Sequence, residues 1–113
     1  VCSSDLLSLM LISIIHVEAK KNKRDEFLNT LTALGKRFNQ SSGCIAYHLG
    51  RDLENENLFQ LVGEWQTQED YDKHVNSPEF EVLQGAIRIL GLTPQVRILK
   101  MDEDVIENSK EEK

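Results

Sequence analysis

Cysteine, proline, tryptophan and basic residues are all scarce in this chain of 113 residues, and each scarcity excludes something. There are two cysteines, Cys2 and Cys44. Two in a chain of this length make no disulfide framework, and no C-x-x-C pair is present. A reducing compartment suits such a chain, so a cytoplasmic location is expected. Lysine and arginine number 13 against 19 acidic residues, for a net charge of −6. That balance argues against a phosphate-binding surface, and no nucleic-acid partner is expected. No apolar run reaches the roughly 18 residues needed to cross a bilayer, so no membrane partner is expected. What remains is 40% apolar and 28% charged, the composition of an ordinary globular protein. The length fits one domain.

The acidity is uneven. Residues 102–113 (DEDVIENSKEEK) carry a net −4, and the rest of the chain only −2. Such a segment holds too little apolar surface to fold alone and reads as an acidic, disordered tail. At the other end, residues 1–9 (VCSSDLLSL) lack a starting methionine and a basic region, so they make a poor signal peptide. Met10 reads as the natural start and 1–9 as a leader outside the domain. The folded domain is therefore expected over 10–101.

Within it, Met10–Glu18 (MLISIIHVE) is β-branched and apolar on both faces, which predicts a strand covered on both sides. Lys23–Gln40 predicts a helix, because Phe27, Leu31, Leu34 and Phe38 recur at spacings of four, three and four. Cys44–Arg51 predicts a second strand, with Ile45, Tyr47 and Leu49 on one face and Cys44, Ala46 and His48 on the other. Leu58–Gln66 predicts a third, with Phe59, Leu61, Gly63 and Trp65 together. The short polar turn Asp52–Asn57 makes these two an antiparallel hairpin. Thr67–Asp70 has the form of a capping box and opens a short helix to about Val75. Ser77-Pro78 opens another over Glu79–Leu90, closed by Gly91. Gln95–Met101 is a last strand. The order β-α-β-β-α-β is that of an α+β, ferredoxin-like fold with an antiparallel four-stranded sheet. Its helices cover one sheet face. A second copy of the sheet is the simplest cover for the other, so a homodimer is expected.

Chemistry is thinly signalled. His16, His48 and His74 show no ligand spacing, so no metal is expected. There is no G-x-S-x-G and no Gly-rich phosphate loop. Cys44 beside a glycine turn reads as a small packed residue, and Glu64 as an ion-pair partner at the sheet rim or a subunit interface. One cluster stands out. Trp65 ends a strand, Tyr71 and His74 follow one helical turn apart, and Phe80 lies beyond the helix break. Together they can line an apolar pocket with a few polar atoms, the usual form of a small-molecule site. The same residues also fit a plain core with an exposed histidine.

The run Gly43-Cys44-Ile45-Ala46-Tyr47, then Glu64-Trp65, Tyr71, His74, Ser77 and Phe80, resembles the antibiotic biosynthesis monooxygenase (ABM) family, small quinol monooxygenases included. The resemblance spans Met10–Met101. It implies a dimeric α+β barrel of two ferredoxin-like subunits. It also implies a small aromatic or quinol substrate, O2 as co-substrate and no cofactor, since the substrate is its own reductant. By resemblance His74 is the candidate base, Tyr71 a hydrogen-bond donor to a phenolic oxygen, and Trp65 a pocket wall. Tyr47, Phe80 and Leu61 are further lining candidates, and His16 joins them if its face turns toward the helices. The antibiotic-pathway oxygenases place an asparagine where this chain has Leu61, so one polar contact is missing. The haem-degrading branch has a histidine where this chain has Gln84, so haem degradation is not implied. A non-catalytic binding or regulatory domain, and an isomerase using the same pocket, are the alternatives.

Overall fold

A computed structural model describes residues 10–101. The expected leader (1–9) and acidic tail (102–113) lie outside the described residues. The elements run β1 (Met10–Glu18), α1 (Arg24–Asn39), β2 (Cys44–Arg51), β3 (Leu58–Trp65), α2 (Gln68–Val75), α3 (Pro78–Leu90) and β4 (Gln95–Met101). The sheet order is β2-β3-β1-β4, and every neighbouring pair is antiparallel. This is the ferredoxin-like α+β fold.

The period-two alternation of β1 decides which side meets the helices. Leu11, Ser13, Ile15 and Val17 are buried, opposite Trp65, Gly63, Leu61 and Phe59 of β3. The apolar stripe of α1 closes over them, with Phe27, Leu31, Leu34 and Phe38 all buried. From α3, Leu83 and Leu90 join the core, while Phe80 and Ile87 pack on it from its rim. Both caps form as the residue pattern predicts. Thr67 Oγ1 accepts from the Asp70 backbone N–H at 3.1 Å, and Ser77 Oγ accepts from that of Phe80 at 3.2 Å. Among the described residues no helix is long and apolar enough to cross a membrane.

One expectation needs correction. A β-bulge lies between Cys44 and Ala46, so Cys44 pairs with Trp65 and Tyr47 with Gly63. The extra residue breaks the alternation. Cys44 therefore packs on the core beside Tyr47 and Leu49, whereas Ile45 is 44% exposed. Strict alternation puts Ile45 on the face of Tyr47 and Leu49 and Cys44 on the other, and the bulge exchanges the two. Tyr47 is held at this bulge by its backbone N–H, which donates to Asn39 Oδ1 at the end of α1 (3.0 Å).

The opposite sheet face carries Ile12, Ile14, His16 and Glu18 of β1, neighboured by Val62 and Glu64 of β3 and Arg97 and Leu99 of β4. No helix covers it. His48 Nε2 lies 3.7 Å from Glu64 Oε2 on this face.

The bulge makes a discriminating prediction for denaturant unfolding. Ile45→Thr changes stability by less than about 0.5 kcal/mol, as an exposed substitution should. Tyr47→Ala costs about 3–5 kcal/mol, the range for emptying an aromatic core position. Equal losses would restore the unbulged register.

Candidate active site

The site starts at a missing side chain. A Cβ on Gly63 would lie 2.7 Å from Trp65 Nε1, 2.9 Å from Tyr47 Cε2 and 3.0 Å from Ser13 Oγ. Glycine there lets the indole fold back along its own strand. The indole N–H then donates to Ser13 Oγ at 3.2 Å, which satisfies the one polar atom of a fully buried tryptophan.

On the other side of the indole lies His74. The two rings stack with centroids 4.3 Å apart and planes 28° from parallel. Helix α2 delivers the histidine. Its first turn is fastened by the reciprocal Thr67 and Asp70 contacts, with Thr67 Oγ1 also donating to Asp70 Oδ2 at 2.9 Å. The Asp70 carboxylate rests against Gly43, whose φ of 80° and lack of a Cβ make the room. The helix ends at Val75, and Ser77 Oγ donates to the His74 carbonyl at 2.7 Å. Thus the turn before β2 and the α2–α3 junction together fix where the imidazole sits.

The imidazole is enclosed by aromatic rings. Phe38 meets it edge-on at 4.6 Å and Phe80 at 5.0 Å, and Tyr47 and Tyr71 stand at 6.1 and 6.2 Å. His74 is only 5% exposed, and among the described residues its Nδ1 has no hydrogen-bond partner. Burial among rings lowers its pKa from 6.5 to about 4, because the cation cannot be solvated there. Burial pushes both phenols the other way, Tyr47 strongly and Tyr71 less, the latter helped by Asp72. At neutral pH the site therefore holds a neutral imidazole and two protonated phenols. It offers O–H donors from the tyrosines and, at the imidazole, whichever of acceptor or donor the tautomer leaves at Nδ1. The neighbouring Cys44 thiol is also pushed up, by burial and by Glu64, which suits a packed residue and not a nucleophile.

The candidates therefore divide. Trp65, Tyr71, His74, Tyr47 and Phe80 come together in one cluster. Leu61 is on the same sheet face but four residues along β3, paired with Ile15 and Leu49 within the core. His16 does not join them. Odd-numbered positions of β1 face the helices, so His16 lies on the other side of the sheet, opposite Gln60 and Gln95. Three contributors, Ser13, Phe38 and Gly63, escaped the sequence reading as site residues. A hydroxyl alone on the apolar face of β1 was the available signal for Ser13. Grooves among the described residues lie outside the cluster. One of about 590 Å3 is lined by Lys20, Arg88 and Pro94 among others, and one of about 290 Å3 lies between α1 and α3 at Leu34, Arg37 and Pro78. Trp65, Tyr71 and His74 line neither. Among the described residues no group of three or more His, Cys, Asp or Glu side chains could hold a metal ion.

The family model described as antibiotic biosynthesis monooxygenase matches residues 10–86. Solved structures share the fold at low identity. A conserved protein of unknown function from Bacteroides thetaiotaomicron is 19% identical, with a TM-score of 0.77 over 83% of this chain and 99% of that one. A Pseudomonas aeruginosa protein is 21% identical, with a TM-score of 0.77 over 85% of this chain and 97% of that one. A variant of SnoaB, a cofactor-independent oxygenase from Streptomyces nogalater, is 15% identical, with a TM-score of 0.72 over 81% and 92%. No curated protein matches the chain.

The pH dependence of stability follows from His74. The unfolded chain binds a proton at this residue below about pH 6.5, and the folded chain only below about pH 4. The unfolded state thus holds more protons between those values, and stability falls as pH drops through that window. The loss is on the order of 3 kcal/mol. Urea unfolding of wild type and His74→Phe from pH 7.5 to 4 measures it. Wild type should lose that amount relative to His74→Phe between pH 7.5 and pH 4, and parallel curves would show that His74 titrates alike in the folded and unfolded chains. Gly63→Ala should cost about 1–3 kcal/mol through overpacking and shift the emission of the single tryptophan.

Proposed function

Because the chain belongs to the antibiotic biosynthesis monooxygenase family, we propose that it is a cofactor-independent monooxygenase that oxidises a small quinol or polyphenol with O2. The observation that carries this reading is the buried, unpartnered Nδ1 of His74 beside Trp65 and two protonated tyrosines. A buried polar atom without a partner costs about 1–3 kcal/mol. A phenolic O–H placed against the imidazole in its Nε2–H tautomer would remove that cost.

The energetics allow a proton transfer there. A phenol near 10 and an imidazole near 4 are separated by about 8 kcal/mol. An imidazolium–phenolate pair about 4 Å apart recovers roughly 4 kcal/mol at an effective dielectric near 20. A Tyr71 hydroxyl donating to the phenolate adds about 1.5–3 kcal/mol. What remains uphill, with the burial that pushes this site's own phenols up added to it, is still below the barriers of ordinary turnover. The phenolate is a far better electron donor than the phenol. It reduces O2, a C–O bond forms at a ring carbon, and the hydroperoxide breaks at its O–O bond. The imidazolium returns its proton to the peroxide, and the hydrogen on the oxygenated ring carbon is lost to the leaving hydroxide, so that a new carbonyl and water form together. Quinol plus O2 becomes hydroxyquinone plus water, with every electron supplied by the substrate. The rings of Trp65, Phe38 and Phe80 supply flat apolar walls for such a molecule. Tyr71 and Phe80, half-buried at the rim, are the side chains that move to admit it.

The reading extends to a homodimer. Ile12, Ile14, Val62 and Leu99 form the centre of the uncovered sheet face, with the Glu64–His48 pair toward β2 and Arg97 on β4. A two-fold axis parallel to the strands sets the β2 side of one copy over the β4 side of the other and β3 over β1, so that the apolar centres meet. Apolar area of this kind favours cover by a second subunit.

Oxygen uptake with reduced naphthoquinols, benzoquinols and catechols tests the activity. Uptake above autoxidation is expected, unaffected by chelator. His74→Ala should lower turnover by a factor of about 100, the low end for losing a general base. No uptake by wild type would reject oxygenation, and unchanged uptake in the variant would remove His74 from it. Sedimentation should give about twice the mass of one chain, and Ile14→Asp should give monomer.

A further inference from the structure

Ser13 stands alone as a polar side chain on the inner face of β1, between Leu11 and Ile15, and it is 5% exposed. Its partner across the sheet is Gly63 on one side and Ile98 on the other. A hydroxyl here is not what packing would choose, since alanine or a larger apolar residue would fill an inner strand position without desolvating an oxygen. Its oxygen accepts from the indole N–H of Trp65 at 3.2 Å. The indole has little other freedom. It lies over the gap at Gly63, with Tyr47 on the far side of that gap, and its outer face carries His74.

We propose that Ser13 is a positioning residue for His74, acting through the Trp65 indole. The hydrogen bond fixes the rotation of the indole about its side-chain torsions, and the indole plane then fixes the imbalance of contacts around the imidazole. Its ring stays stacked, and Nδ1 keeps the direction that leaves it unpartnered. Ser13 itself touches neither the imidazole nor a substrate. The importance of the imidazole rests on the functional reading above, but the coupling of the three side chains does not. Around His74 the titratable rings are Tyr47 from β2 and Tyr71 from α2, with Phe38 from α1 and Phe80 from α3 beside them, and burial is what lowers its pKa. A change in the titration of His74 therefore reports its packing and not a new charge.

The experiment uses the full chain, labelled with 15N, as wild type, Ser13→Ala, Ser13→Cys, Trp65→Phe and the Ser13→Ala/Trp65→Phe pair. With one tryptophan in the sequence, a single indole N–H resonance reports the hydrogen bond. In Ser13→Ala that resonance should move upfield and exchange with solvent about tenfold faster. The midpoint of the His74 titration should rise by about half a unit or more as the stack loosens. Ser13→Cys keeps the volume with a weaker acceptor and should fall between. Trp65→Phe keeps a ring but removes the donor, so adding Ser13→Ala to it should shift His74 no further. A role confined to stability would lower the melting temperature and leave the His74 midpoint of the folded protein unchanged in every variant, which would overturn the proposal. So would equal and additive shifts from the two single changes. If Ser13→Ala does not fold, Ser13→Cys and Trp65→Phe decide the question alone. Where wild type turns over a quinol, Ser13→Ala should lower kcat about tenfold with KM within about twofold. Absence of turnover in wild type would count against the oxygenase reading only, because the resonance measurements do not depend on it.

Discussion

The stack of Trp65 on His74 joins the sheet to the helical layer, and the rest of the site is arranged around it. Strand β3 brings the indole, and helix α2 brings the imidazole. Neither ring could sit where it does without two absences of side chain. Gly63 leaves space for the indole to fold back, and Gly43 lets the first turn of α2 settle on the start of β2 through Asp70. Once stacked, the imidazole is surrounded by Phe38, Tyr47, Tyr71 and Phe80 and loses its access to water. Its low pKa is a consequence of that enclosure. Packing, protonation state and the open Nδ1 are thus one fact seen three ways.

This arrangement places demands on both sides of a stability–function balance. A buried histidine with an unmet hydrogen bond destabilises the fold. A phenylalanine at the same position would pack with the same rings and cost nothing in desolvation. Retaining a polar ring there makes sense if something else meets the hydrogen bond, and under the proposed function a phenolic O–H would do so. The same logic applies to Ser13, a hydroxyl spent on holding one N–H in an otherwise apolar row. Local polarity in a hydrophobic layer is a common mark of a working site.

Much of the fold was legible because its signals are local. The stripe Phe27, Leu31, Leu34 and Phe38 set the length of α1, and Thr67 and Ser77 marked the starts of two helices by cap chemistry alone. The bulge at Ile45 was not legible, since alternation cannot reveal an inserted residue when Cys44 and Ile45 are both apolar enough for either face. The candidate site was half legible. Spacing placed Trp65, Tyr71, His74 and Phe80 near one another. Burial of His74 was hidden by the polar composition of α2, QEDYDKHV, in which no apolar stripe announces an inward face. Ser13 and Gly63 were hidden for a different reason. Their meaning lies in the register of β1 against β3, a long-range pairing that neither segment encodes alone.

The most direct test of the account is whether a phenolic ligand finds the imidazole. The chain labelled with 15N at histidine would be titrated with 2-naphthol, which presents one phenolic O–H but lacks the second hydroxyl of a quinol reductant. His16 and His48, on the opposite sheet face, serve as internal references. The account predicts a saturable change in the His74 Nδ1 resonance, with the other two histidines unmoved. Saturable binding that leaves His74 unmoved would contradict it.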